Sequence, residues 1–318
     1  MLMVGAVVML SVGAFHQGFA QEKFPSKPIT IIVSWAPGGG MDLNTRALQP
    51  LLEKILGQPV VIINKSGGGG TIGFTEGAKA SPDGHTITLL SPSILTTTYM
   101  ISSDIHYRNY SPVIRTGYSP STMTVKADAP WQSLHEFLKY AKANPEKIRM
   151  ADGGHGSASH IRGVWIELIT GVKFTHIPFK GTAPALMALA GGHAEGFAGG
   201  VTDEYHLVKG GKLRILAITA PERMALIPEV PTFQELGIDF DSSTWHMYVV
   251  PKGTPQTSIK VLHDAFKKAM DSAEFADYAK NQAVTPGYLG PEACVRFLKK
   301  EDKIWLKMIE AAGLRQTK

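Results

Sequence analysis

Ile29-Thr-Ile-Ile-Val33 runs through Ser34 and Trp35 into Ala36-Pro37-Gly38-Gly39-Gly40-Met41-Asp42, and the fold is read outward from this stretch. Behind it Leu43, Ala47, Leu48, Leu51, Leu52, Ile55 and Leu56 recur at helical spacing until Gly57. An apolar β-branched run, a glycine turn and an amphipathic helix make one strand–turn–helix unit. Asp42 is expected to cap the helix, and Pro50 to kink or interrupt it. The design recurs at Val60-Val-Ile-Ile63 before Ser66-Gly67-Gly68-Gly69-Gly70-Thr71, and at Ile148-Arg-Met150 before Gly153-Gly154-His155-Gly156-Ser157. Glycine lets backbone approach a ligand closely, and a helix N-terminus offers unpaired N–H groups with partial positive charge. Three such turns form a plausible cradle for a carboxylate.

Beyond these units, strand-like and helix-like segments alternate, the pattern of an α/β fold with a largely parallel sheet. Strands are expected at 86–90, 113–115, 122–125, 148–151, 174–178, 213–219 and 245–250. Ser133 with Glu136 opens a helix by a capping box, and further helices are expected at 158–170, 182–190 and from Pro291 to Ala312. Turn-rich stretches near 116–121 and 239–244 mark two crossings between a discontinuous first domain and an inserted second one.

The 318 residues carry 44% hydrophobic and 19% charged side chains, enough core for two ordinary domains. The net charge of +5 is mild and its lysines and arginines are scattered, which argues against nucleic acid as a partner. Met1 to Ala20 has no Asp, Glu, Lys or Arg, and Leu2 to Phe15 is almost wholly apolar. This run is short for a bilayer span and ends in Gly18-Phe19-Ala20, so residues 1–20 are expected to be a secretory signal peptide. The one cysteine, Cys294, permits no internal disulfide and no lipid anchor near position 20. It sits in an amphipathic helix and is expected in the core.

Enzyme signatures fit poorly. The second glycine turn lacks the Lys of a phosphate loop, and no turn carries a full dinucleotide fingerprint. A hydrolase elbow needs Gly two residues either side of its serine, and Ser157 has His155 and Ser159 there. Ser157 is therefore expected to cap the following helix. His155 and His160 are five apart with no acidic partner at metal-ligand spacing, so no metal and no cofactor are expected.

The chain resembles the substrate-binding receptors of tripartite tricarboxylate transporters, the Bug receptors. The resemblance rests on Phe24-Pro25-Ser26-Lys27-Pro28-Ile29, Pro37-Gly38-Gly39-Gly40-Met41-Asp42, Leu56-Gly57-Gln58-Pro59-Val60-Val61 and Pro82-Asp83-Gly84-His85-Thr86. It continues through Gly156-Ser157-Ala158-Ser159-His160, Phe179-Lys180-Gly181-Thr182-Ala183-Pro184-Ala185, Gly211-Lys212-Leu213-Arg214 and Pro228-Glu229-Val230-Pro231-Thr232. It implies a bilobed α/β periplasmic-binding-protein (flytrap) fold with a two-segment hinge. Lobe 1 would comprise 21–118 plus 245–318 and lobe 2 119–244, with the ligand cleft between them. It further implies a periplasmic protein that delivers a small organic acid to membrane transporter subunits; a monomer is expected because no long apolar patch or heptad pattern argues otherwise, and a soluble, unanchored protein because no Cys lies near position 20.

Loops 37–42 and 154–157 would then hold the carboxylate, and residues of 179–184 and 199–203 would tune the ligand. The expected ligand contacts are Trp35, Pro37, Gly38, Gly39, Asp42, Gly70, Ser93, Gly154, His155, Gly156, Ser157, Thr182, Thr202 and Asp203. An amino acid would need Asp203 or Asp152 for its ammonium; an aromatic acid would favour Trp35 or Trp245 as a stacking wall. An exported hydrolase using Ser157, or a solute sensor, is the alternative. The chain departs from the family pattern at Asn64-Lys65-Ser66-Gly67-Gly68-Gly69-Gly70, at Glu195, at Gly199-Gly200 and at His155.

Overall fold

The computed structural model describes residues 24–101 and 104–316; the proposed leader at 1–20 lies outside them. In chain order the first half comprises β1 (Ile29–Val33), α1 (Gly40–Leu56), β2 (Val60–Asn64), α2 (Thr71–Lys79), β3 (Thr86–Leu90), α3 (Ser93–Met100), β4 (Tyr110–Pro120) and β5 (Thr122–Lys126). Then come α4 (Leu134–Ala143), β6 (Arg149–Asp152), α5 (Ala158–Thr170), β7 (Thr175–Pro178), α6 (Thr182–Ala190), β8 (Gly196–Phe197), α7 (Val201–Lys209) and β9 (Leu213–Ile218). The chain closes with β10 (Ser243–Pro251), α8 (Gln256–Met270), α9 (Ala273–Asn281), β11 (Thr285–Leu289) and α10 (Pro291–Ala311).

These strands form two sheets, each with helices packed on it, in a bilobed α/β fold. The first has the order β11-β4-β10-β3-β1-β2 and the second β7-β6-β8-β5-β9. Neither is largely parallel. β1 pairs in parallel with β2 and β3, and β6 with β7 and β8, as strand–helix–strand units require. β10 runs antiparallel to β3 and β4, β11 to β4, and β5 to β8 and β9. The antiparallel character follows from chain traffic. β4 leads out of the first sheet, β10 leads back, and the two lie side by side with Pro120 opposite Ser243.

The stretch read as turn at 116–121 is largely strand, since β4 continues to Pro120 and only Ser121 separates it from β5. At that crossing the Ser121 N–H donates to Thr219 Oγ1 at 2.7 Å, and Thr219 N–H returns a bond to Ser121 O at 2.8 Å. Each lobe has its own core. Ile29, Ile31, Leu48, Ile87, Trp245, Tyr248, Leu262 and Phe266 are fully buried in the first, and Met123, Phe137, Met150, Leu216 and Phe233 lie in the second. Cys294 is in the first core, with its thiol donating to Leu289 O and burial pushing its pKa up to about 12.

Two helix expectations change. α1 passes unbroken through Pro50, which lies on its exposed face; the Arg46 carbonyl it leaves unbonded is there open to water. The α1 cap is Gly39, not Asp42. Asp42 stands in the first turn, where its carboxylate accepts from Gly38 N–H, Arg46 Nε and Asn64 Nδ2, each at 2.9 Å. Burial opposes the charge, but Arg46, Gly38 and Asn64 outweigh it and hold the Asp42 pKa below its ordinary value.

Candidate functional site

The third glycine turn builds one wall of the site. Ser157 caps α5 as expected: its Oγ accepts His160 N–H at 3.3 Å and bonds Ser159 Oγ at 3.1 Å. Ser159 Oγ in turn accepts Gly153 N–H at 2.9 Å. This hydroxyl pair fixes the loop that leaves β6, so the first turn of α5 faces the opposite lobe.

The lobes meet along this loop. Ala158 N–H donates to Ser93 Oγ at 2.9 Å, and Thr96 Oγ1 donates to Gly156 O. On the other flank Gly40 N–H, in the first turn of α1, donates to Asp203 Oδ1 at 2.9 Å. Thr202 N–H donates to Ser119 Oγ at 3.0 Å at the β4 crossing, and its hydroxyl reaches across to Ala283 O at 3.1 Å. Gly69 brings backbone against backbone, since a Cβ placed there would lie 2.7 Å from His155 O and 3.2 Å from Ser157 N. Between these seams is a cavity of about 40 Å³. Lobe 1 lines it with Trp35, Met41, Ser91, Pro92 and Ser93, lobe 2 with Gly153, Ser157 to Ser159, Arg162, Thr182, Phe197, Gly199 and Asp203, and Thr244 joins them at the crossing into β10.

Five of the residues anticipated from sequence therefore share one cavity: Trp35, Ser93, Ser157, Thr182 and Asp203. Others border it without lining it. Gly39 faces Ala183 N at 3.9 Å from where a Cβ would stand, Gly70 lies against Trp35 and Phe74, and Gly154 abuts Gly69. Gly156 and Thr202 contribute to the interlobe bonds above. Pro37 and Gly38 are exposed, and Asp42 is engaged behind its own loop. His155 opens onto a separate surface groove with His160, Glu167 and His176. Trp245 is no pocket wall: it is fully buried in the first core, donating to Glu301.

Sequence reasoning missed Arg162. It lies on the cavity one helical turn beyond Ala158, on the same face of α5, and is 2% exposed. That i, i+4 spacing from Ala158, the first residue of the helix, inside the apolar run Ile161 to Ile166, was the available signal. Its Nε donates to Ser242 Oγ at 3.0 Å, its Nη1 reaches Gly199 O at 3.5 Å, and its Nη2 has no hydrogen-bond partner among the described residues. Burial draws its pKa down to about 10, which leaves it charged at neutral pH. Burial pushes the Asp203 carboxyl up to about 6, while the Gly40 N–H and Arg162 pull the other way. Next to it Glu204 is fully buried against the Thr122 and Thr124 hydroxyls, and burial raises it to about 8.

Behind the cradle the fold supplies the acidic partner that spacing did not show. Asp152, His160 and His176 each offer a ligand atom, all within 4.8 Å of one another. However, His160 Nδ1 accepts Gly156 N–H at 3.2 Å, which places the ring proton on Nε2 and opposes metal binding there. Burial, with His176 and His155 adding to it, lowers the His160 pKa to about 3. Neutral His160 thus supports the Gly154–Ser157 loop from behind.

Residues 45–314 match the family described as tripartite tricarboxylate transporter family receptor. The UPF0065 protein in the gbd 5′ region of Cupriavidus necator is 34% identical over 312 residues, covering 97% of this chain and 94% of that protein. Protein BugT of Bordetella pertussis is 31% identical over 297 residues, covering 92% and 91%. Among solved structures, the periplasmic binding protein BugD superposes with a TM-score of 0.87 at 30% identity, covering 92% of this chain and 100% of that one. R. palustris Rpa4515 with adipate gives 0.86 at 27% identity over 91% and 98%. MatC from Rhodopseudomonas palustris with bound malate gives 0.84 at 28% identity over 90% and 100%. A two-lobed α/β chain whose glycine-turn helix starts face a shared interlobe cavity belongs, on these grounds, to the tripartite tricarboxylate transporter receptor (Bug) family.

Proposed function

We propose that this protein is a periplasmic receptor that captures a small organic acid between its lobes and presents it to a tripartite tricarboxylate-type transporter. The observation that carries this reading is the α5 cap. Ser157 and the Gly153–Gly156 turn bring a helix N-terminus to the wall of a cavity closed by the opposite lobe, an arrangement suited to an anion. Relatives with adipate and malate point to carboxylates as the ligand class. The division into lobe 1 (21–118 and 245–318) and lobe 2 (119–244) is supported by the sheet crossings at Ser121 and just before Ser243.

Catalysis is no part of this role. Ser157 Oγ is bonded to Ser159 and to a backbone N–H, and His160 Nδ1 is taken by Gly156, so among the described residues His160 does not serve the serine as a base. Residues 1–20 would direct export. Among the described residues no helix is long and apolar enough to cross a membrane. The receptor would act as a monomer, with the membrane subunits as its partners.

A thermal-shift screen of residues 21–318 against carboxylic acids, amino acids and neutral amides tests the proposal. A ligand at about 100 times its Kd should stabilise the protein by roughly 2.7 kcal/mol, a rise of several degrees. Silence from every acid, in folded protein freed of co-purified ligand, would refute it.

A further inference from the structure

Two donor groups from opposite lobes lack acceptors at the cavity. Among the described residues Arg162 Nη2, on α5 of lobe 2, is buried without a hydrogen-bond partner, and so is the Trp35 indole Nε1, just past the end of β1 in lobe 1. Both groups only donate; the hydrogen-bond partners Arg162 does have, Ser242 Oγ and Gly199 O, are neutral, its guanidinium lies 5.8 Å over the Trp305 ring, and the carboxylate of Asp203 attracts it without bonding it. A guanidinium left this way inside a protein is costly unless an anion arrives to meet it. The same cavity carries one group of opposite demand. Asp203 has only its Oδ1 occupied, by Gly40 N–H, and the residue keeps part of its surface exposed. A carboxylate so placed wants a cationic donor and repels a second anion.

We infer that Arg162 and Asp203 form a charge-paired subsite that makes the ligand a small α-amino acid. Its carboxylate would be taken by Arg162 and Trp35, and its ammonium by Asp203. This rests on the reading of the cleft as an organic-acid receptor and narrows the acid to a zwitterion. A dicarboxylate would set its second charge against Asp203, whereas a simple monocarboxylate leaves Asp203 without a donor. A cavity of about 40 Å³ also favours a short side chain.

Calorimetric titration of the mature protein with small amino acids, the matching 2-hydroxy acids, malate and adipate tests the assignment. The wild type should bind an amino acid at least tenfold more tightly than its 2-hydroxy analogue. Arg162→Gln should weaken binding of every acid roughly 10–100-fold, with Arg162→Lys intermediate, since a charged hydrogen bond is lost or reshaped. Asp203→Asn keeps an oxygen for Gly40 N–H but removes the charge. It should weaken the amino acid tenfold or more while leaving the hydroxy acid unchanged or tighter. That reversal of preference would not arise from a merely structural role. Melting curves on each variant separate loss of fold from loss of binding. A wild type that prefers malate, adipate or the hydroxy acid would overturn this inference and leave the receptor reading standing. So would full affinity in both Arg162 variants. Binding of no acid at all would take down both.

Discussion

Gly69→Ala tests whether capture requires the lobes to meet as they do here. Gly69 has φ +63, so any alanine there pays the left-handed penalty, about 1–2 kcal/mol, in open and closed forms alike. Closure adds a second cost. The new methyl would stand 2.7 Å from the His155 carbonyl and 3.2 Å from Ser157 N, both backbone atoms of the opposite lobe. To restore ordinary contact the lobes must separate by roughly half an ångström or more. Two bonds straddle that seam, Thr96 to Gly156 O and Ala158 N–H to Ser93 Oγ at 2.9 Å. At about 0.5–1.5 kcal/mol each, their loss costs roughly 1–3 kcal/mol, or 5- to 150-fold in affinity. Gly57→Ala is the control, because Gly57 has φ +67 and nothing within 4 Å of the added Cβ. Both variants should lose melting temperature, roughly 2–4 °C per kcal/mol, Gly69→Ala somewhat more because its methyl would also stand 3.0 Å from Thr97 Cγ2 of the same lobe. Only Gly69→Ala should lose affinity by calorimetry. A Kd within twofold of Gly57→Ala would show that ligand capture does not bring these backbones together.

Three further outcomes are expected. Glu204 has its pKa raised by burial from 4.5 to about 8, so the folded state holds a proton the unfolded chain releases, and stability should rise as pH falls from 8 to 6.5. The gain should be about 1–2 kcal/mol and should vanish in Glu204→Gln; below pH 6.5 the buried neutral His160 and His246 begin to oppose it. Ser157→Ala should lower stability by about 0.5–2 kcal/mol through the lost cap, while ester hydrolysis stays at background before and after the change; a rate that falls with Ser157 would make it a nucleophile. Cys294 should resist an aromatic disulfide reagent at pH 8 until the protein is unfolded, its thiol being buried and its pKa near 12; rapid labelling of native protein would contradict that placement.

Much of the frame was legible because local chemistry dictates it. Ser133 and Ser157 cap the helices they precede, and the glycine turns at 67–70 and 153–156 open α2 and α5. What escaped depends on distant neighbours. Thr116 to Pro120 looks like a turn because of its Gly, Ser and Pro. Yet Gly117 is needed where β11 crowds β4, since a Cβ there would lie 2.9 Å from Thr285 O. β8 is two residues long and exists only because β5 and β6 flank it. Arg162 was hidden for a similar reason, as a charge on a helix ordinarily faces water and only the packing of the two lobes encloses this one. Asp42 was misassigned by a few residues of register, because Gly39 caps α1 while the carboxylate reaches back to Gly38.

The neighbouring exit and entry strands have a consequence for how such chains diversify. Pro120 and Ser243 are register partners, so a hairpin loop of about two to five residues could join them directly and leave the order of the six-stranded sheet intact. Everything between them is one continuous stretch of chain. Recombination at two points could therefore exchange the wall that carries Arg162, Thr182 and Asp203 as a unit. The wall that carries Trp35 and Ser93, and both ends of the chain, would keep their ancestry.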